Sequence, residues 1–261
     1  MNLENFIVID MRGLHKHPYY PYILSEFKES FSNDCTHNSW SKFKKLHLSI
    51  THNRCPICEC KLDGSVTRET NNGLMEMNAT IDHFRPKDIT LYPLLKCDDK
   101  NYLVMCKDCN EAYKGNKFPL FGDQIRDITS NSTTNITTEQ PLIINPIYDD
   151  LLELFILVFT PSLSSKNILE LKPKHEDGYL YEKAKETIKL FSLGNCEVDV
   201  HENDNIQNCR INLLHHHYSK FHECAKAFKL GQIKKALSIQ KRYNLKNYGF
   251  YIFIQKKQFK L

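Results

Sequence analysis

Three runs decide how this chain is read. They are Cys55-Pro-Ile-Cys58-Glu, Ile81-Asp82-His83-Phe84-Arg85-Pro86-Lys87, and Asn101-Tyr-Leu-Val-Met-Cys106-Lys-Asp-Cys109-Asn110-Glu-Ala-Tyr-Lys114-Gly-Asn-Lys-Phe118. Two Cys-x-x-Cys turns bracket an Asp-His pair. Each turn presents two sulfurs at the bite of a single tetrahedral metal, so Cys55, Cys58, Cys106 and Cys109 are the candidate ligands of one zinc ion. A filled four-thiolate site has no open position for water, so zinc here is expected to be structural, stapling a segment too short to hold itself together.

The stretch 59–105 between the turns is longer than a plain zinc ribbon needs, and it carries the Asp82-His83 pair. Neighbouring residues of a strand point to opposite faces or splay at its end, which gives the pair two directions of use. Hydrolysis of a phosphodiester needs a base for water and a cation for the charge developing on the leaving oxygen. A histidine beside a carboxylate-and-amide metal site supplies both, and oxygen ligands favour magnesium or manganese. Arg85, Lys87 and Lys114 are expected at the nucleic-acid phosphates. Lys114 is the strongest of these, about one helical turn beyond Asn110. Phe84 and Phe118 read as core.

Working outward, helices are expected at 22–31 and 38–51, the latter with Trp40, Phe43, Leu46 and Ile50 on one face. Phe6 to Asp10 reads as a strand. Residues 62–78 read as a polar connection, 79–84 and 102–105 as strands, 85–100 as an irregular loop, and the second knuckle as the start of a helix that Gly115 ends. The Ser/Thr/Asn-rich stretch 127–140 reads as a surface loop. Residues 151–160 fit either a strand or a buried helix. Further helices are expected at 179–193, 203–230 and 232–243. The domain reading is an N-terminal helical segment 1–54, a nuclease core 55–122, a loop or linker 123–146 and a mainly helical region 147–261. The fold class is α+β.

Composition is that of a globular chain: 261 residues, 41% hydrophobic, 25% charged, net charge +4. This permits nucleic-acid binding through a local patch without demanding it. The opening MNLENFIVIDMRG lacks the features of a secretory signal, and no apolar run is long enough to span a bilayer, so a soluble cytoplasmic protein with no membrane partner is expected. The six remaining cysteines (Cys35, Cys60, Cys97, Cys196, Cys209, Cys224) show no regular framework and read as reduced thiols. The run His215-His216-His217 does not converge on one ion, since successive helix residues point in different directions. The basic, aromatic tail from Lys234 suits either nucleic acid or a partner surface.

IDHFRP, NYLVMC and CN-x-x-x-K-G together resemble the HNH endonuclease superfamily, whose core is the ββα-metal fold. The resemblance implies His83 as general base, Asp82 and Asn110 as ligands of a catalytic magnesium or manganese ion, and Asn101 as the residue that holds the loop and orients the histidine. It implies Cys55, Cys58, Cys106 and Cys109 as the zinc knuckles of the cysteine-bearing branch. The last motif position is Asn110 rather than histidine. CPICE, IDHFRPK, KGNKFPLFG and INPIYDD are further similar to the HNH subunits of Septu-type antiphage systems, including retron-associated ones, over roughly 50–195. That similarity implies a metal-dependent endonuclease acting on DNA or RNA and leaving a 5′ phosphate. It also implies an ABC-type ATPase partner and, in a retron setting, the retron nucleic acid. The alternative is a zinc-stapled nucleic-acid-binding or protein-interaction module without catalysis.

Overall fold

The computed structural model describes residues 11–70, 73–160, 168–193 and 223–242. The expected strand at 6–10, the helix over 203–222, His215 to His217 and the tail beyond 242 lie outside these residues. The described chain is α+β and falls into two compact units, one over residues 10–150 and the other holding the described residues from 151 onward.

The first unit opens with α1 (Tyr20–Glu29) and the short helix α2 (His37–Trp40). A 3₁₀ turn at Ser41–Phe43 leads into α3 (Lys44–Ile50). The sheet follows, with β1 (Asp63–Thr70), β2 (Gly73–His83) and β3 (Tyr102–Cys106) in antiparallel order β1-β2-β3. Residues 62–78 are therefore not a polar connection: most of them form a hairpin in which Thr70 pairs with Gly73. The signal was present in Asn71-Asn72-Gly73, a run of turn residues. The segment opened by the second knuckle is a π-helix, Asp108–Lys114, ended by Gly115 at φ +49°.

Aromatic residues weld the helices to the sheet. Phe27, Phe43 and Tyr102 pack with ring centroids 5.3–5.6 Å apart, and Tyr20 lies 5.8 Å from Phe43. All four are buried. Segment 11–54 and the sheet thus share one core, and the hydrophobic face read at Trp40, Phe43 and Leu46 is the face that makes it. Residues 123–146, read as a linker, belong to this same unit. Glu139 is buried there, accepting from Tyr92 Oη (3.0 Å) and from the Asp127 backbone N–H (2.8 Å).

A second correction concerns the thiols. Cys35 and Cys97 form a disulfide across 62 residues of sequence, so these two are not reduced. Nothing in their spacing marks a pair; the 3₁₀ turn Pro93–Cys97, inside the loop that returns to β3, carries Cys97 to Cys35.

In the second unit the ambiguous run 151–160 is both things in turn: a short helix α4 (Leu151–Leu154) passes into β4 (Phe155–Thr160). β4 pairs antiparallel with β5 (Ile168–Pro173), and α5 (Gly178–Leu190) follows. Helical residues 223–229 (α6) and α7 (Ile233–Arg242) close the described chain.

Candidate active site and metal centre

The knuckles are built by tight turns, one just before β1 and one just after β3, which meet beside Asn78 and Ala79 of β2. Cys55 N–H donates to the Cys60 carbonyl (2.9 Å), Glu59 takes a left-handed conformation, and the Arg54 guanidinium donates to the Glu59 carbonyl (2.8 Å). From the other side β3 delivers Cys106 and the π-helix delivers Cys109. The sulfurs of Cys55 and Cys109 are 3.6 Å apart and those of Cys58 and Cys106 3.7 Å, and all four lie within 4.8 Å of one another and are buried. Four thiolates about 2.3 Å from one tetrahedral zinc sit roughly 3.8 Å from each other. The observed spacing fits, and the cluster can hold a metal ion such as zinc. The Cys109 N–H donates to the Cys106 sulfur (3.3 Å), as it would to a ligand thiolate. Its neighbours, Cys106 first, hold the Cys58 thiol well below its usual range, while burial pushes that of Cys106 up.

β2 presents the Asp-His pair at its end, and the strand's alternation separates the two side chains. Asp82 faces the π-helix. There Lys114 Nζ sits 3.2 and 3.0 Å from its two carboxylate oxygens; the first contact is a hydrogen bond, whereas the second, to Oδ2, is close in charge without hydrogen-bond geometry. The same ammonium donates to the His83 carbonyl at 2.9 Å, and Lys114 has no exposed surface. Burial pushes the Asp82 carboxyl above the ordinary carboxylate range, and the charge of Lys114 pulls it back. One turn earlier on the same helix Asn110 meets Thr80 rather than Asp82, its amide nitrogen donating to the hydroxyl at 3.0 Å.

His83 faces the other way, between Trp40 (ring centroids 4.9 Å apart) and Tyr102 (5.2 Å), both edge-on. Its Nε2 lies 3.0 Å from the Lys96 carbonyl. A carbonyl only accepts, so in the neutral ring Nε2 carries the proton and Nδ1 keeps the lone pair. Burial, with Lys87 next in weight, lowers the imidazole to about 3, so the ring stays neutral through the physiological range. The Tyr102 hydroxyl donates to the same carbonyl at 2.8 Å.

Asn101 holds the loop between the strands. Its side-chain oxygen accepts the Arg85 N–H (2.8 Å), and its amide donates to the carbonyls of Arg85 (2.9 Å) and Leu95 (3.2 Å). It is fully buried, and Phe84 N–H donates to its backbone carbonyl at 2.7 Å.

The three cations expected at phosphates divide. Arg85 is buried against Glu139 (3.0 Å) between the rings of Phe118 and Tyr92, and Lys114 is buried on Asp82; neither offers its charge to solvent. Each had an acid to meet, one of them far away in sequence. Lys87 is exposed, its ammonium 4.2 Å above the Trp40 ring that abuts His83. The residues that sequence reasoning did not single out are Trp40, Tyr102 and the Lys96 carbonyl, the last of which leaves no trace in side-chain identity.

A divalent ion on Asp82 and Asn110 does not fit this arrangement. The Asp82 carboxylate already has a buried cation against both oxygens, and Asn110 is directed at Thr80.

The fold and site together define an α+β protein with a buried four-cysteine cluster able to hold a metal beside an Asp-His strand end. Known proteins with similar sequence are the Septu protein PtuA of Bacillus mycoides (strain KBAB4), 26% identical over 150 residues, and the Septu protein PtuB of Bacillus thuringiensis, 37% identical over 73 residues. The first match takes in 53% of this chain and 19% of the relative, the second 27% of this chain and 24% of the relative. The chain thus spans about a fifth to a quarter of the length of these relatives. No family model matches the chain, and no solved structure does. No described helix is long and apolar enough to cross a membrane.

Proposed function

We propose that this chain is the HNH-type nuclease component of a Septu-like antiphage defence system, hydrolysing phosphodiesters in DNA or RNA. The observation that carries the reading is the placement of His83. It stands at the end of β2 with Nε2 fixed on the Lys96 carbonyl and Nδ1 left as the acceptor, in a loop pinned by Asn101 and stapled by four cysteines. Similarity to two Septu proteins supports the setting.

In this reading His83 Nδ1 takes the proton of the attacking water, and burial keeps the ring in the neutral, accepting form through the physiological range. Lys87, exposed beside it, contacts the phosphate. Asn101 is a positioning residue, acting through the loop. Zinc, held by Cys55, Cys58, Cys106 and Cys109, supplies rigidity and no chemistry. Because Asp82 and Asn110 do not fit a magnesium or manganese ion as they stand, no step is routed through one. An ABC-type ATPase is the partner this setting calls for, and a retron nucleic acid belongs to it only in the retron form of the system.

The test is cleavage of DNA and of RNA by wild type and by His83→Ala, each with zinc content verified, in magnesium and in manganese, with and without the co-expressed ATPase. Cleavage that is lost in the variant supports the assignment and identifies the polymer. Equal cleavage by both removes His83 from the mechanism. Salt-dependent binding without cleavage under every condition replaces the nuclease with a binding module.

A further inference from the structure

The ammonium of Lys114 makes an unusual set of contacts for a residue in the last turn of a surface helix. It has no exposed surface, and its partners are both oxygens of Asp82 (3.0 and 3.2 Å) and the backbone carbonyls of His83 (2.9 Å) and Gly115 (3.4 Å). An ammonium has three donors, so these oxygens satisfy it fully. They are also a small oxygen cage around a cation, of the kind that hard metal ions seek.

The placement depends on the helix being a π-helix. Gly115 N–H donates to the Asn110 carbonyl (2.7 Å), five residues back, and the wide turn puts Lys114 over Asp82 while Asn110 sits over Thr80. Gly115 closes the turn at φ +49°, where an L side chain is rarely found. Such one-turn π segments recur at functional sites because they re-aim single side chains.

We propose that Lys114 is a built-in counter-cation that occupies the cation position of Asp82 and keeps a divalent ion off this carboxylate for as long as the π-turn holds the lysine there. The ammonium sets its charge against the carboxylate and opposes the effect of burial on it. A magnesium-type ion would sit about 2.1 Å from a carboxylate oxygen, and two cations on one buried carboxylate repel each other. Lys114 therefore sets which cation the strand end carries, and a change in the π-turn that withdraws it exchanges one for the other. The purpose of such an exchange rests on the nuclease reading above, but its test is a binding measurement that does not depend on cleavage.

The experiment is titration of manganese into zinc-loaded protein, followed by calorimetry and by the paramagnetic resonance of the ion, for wild type, Asp82→Asn, Lys114→Met and the double variant. Wild type and Asp82→Asn are expected to titrate alike. Lys114→Met is expected to bind manganese about tenfold or more tightly than wild type, and the double variant to lose that gain. Manganese binding by wild type that Asp82→Asn abolishes overturns the proposal, as does a folded Lys114→Met that gains nothing. Because Lys114→Met leaves a buried carboxylate unpaired and can fail to fold, the comparison of wild type with Asp82→Asn decides alone in that case. Asp82-dependent binding there refutes the proposal, and its absence supports it.

Discussion

His47 on α3 offers a measurement that needs no knowledge of activity. The residue is fully buried; its Nδ1 accepts the Val104 N–H of β3 (3.2 Å), so Nε2 carries the proton, and that atom has no hydrogen-bond partner among the described residues. A second proton would put a charge in the core with nothing to meet it, and burial, assisted by His15, lowers the imidazole to about 3. In the unfolded chain the value is near 6.5. The unfolded state therefore binds more protons between pH 6.5 and about 3. The stability this difference represents is intact above pH 6.5 and is lost as pH falls through that window. At about 1.36 kcal/mol per pH unit, lowering pH from 7 to 4.5 costs roughly 2.7 kcal/mol through His47 alone. His83 adds in the same direction, while Asp82, raised by burial, opposes both, since its share of stability is present at low pH and falls as pH rises. His47→Asn keeps an acceptor near the Nδ1 position and removes the titration. Guanidinium unfolding followed by Trp40, the single tryptophan and a resident of this unit, should show wild type losing about 2.7 kcal/mol more than the variant between pH 7 and pH 4.5. Parallel curves, within about half a kcal/mol, would refute the reasoning, and with it the claim that His47 stays neutral in the fold.

Other outcomes follow from the same geometry. Asn101→Ala removes three buried hydrogen bonds and leaves the Arg85 N–H and carbonyl unmet, while the Leu95 carbonyl keeps the Asp98 N–H, so thermal unfolding should report a loss of about 2–3 kcal/mol. A strong zinc chelator, or Cys58→Ser, should lower the melting temperature and abolish stoichiometric zinc by elemental analysis. Alkylation before and after mild reduction should reveal two additional reactive thiols, mapping to Cys35 and Cys97. Reducing that link should destabilise the first unit by up to about 4 kcal/mol on the chain-entropy estimate for its loop. Lys87→Ala should leave stability within about 0.5 kcal/mol of wild type while weakening nucleic-acid binding and the salt slope that goes with it.

What the sequence disclosed and what it hid divide along a physical line. The Cys-x-x-Cys turns were legible because a bite angle is local, and spacing alone sets it. The helix 38–51 was legible because periodicity is local too. The hairpin of β1 and β2 was missed although Asn71-Asn72-Gly73 announces a turn and Met75, Met77, Ala79 and Ile81 alternate with polar residues along β2; its partner β1, Asp63–Thr70, offers only Val66 as a strongly apolar residue and so carries no strand pattern of its own. The disulfide and the Arg85–Glu139 pair are contacts between residues more than fifty positions apart, fixed by how the 84–101 loop and the 123–146 segment fold back. No spacing rule reaches that far.

Lys114 is the instructive case, because sequence placed it on the right face of the right helix and still misjudged its partner. A lysine beside a candidate nuclease site reads as a phosphate contact when the nearest known anion is the substrate. The fold supplies a nearer one. Once β2 and the π-helix are packed, Asp82 and Lys114 are both out of water, where an unpaired carboxylate or ammonium costs several kcal/mol. Neither can be left alone, so their pairing is imposed by burial before any substrate arrives. Lys87 is only partly covered: burial and Lys96 lower its ammonium, but it is exposed and keeps its charge available over the Trp40 ring. Of Arg85, Lys87 and Lys114, burial therefore selects the one that is free to meet a phosphate.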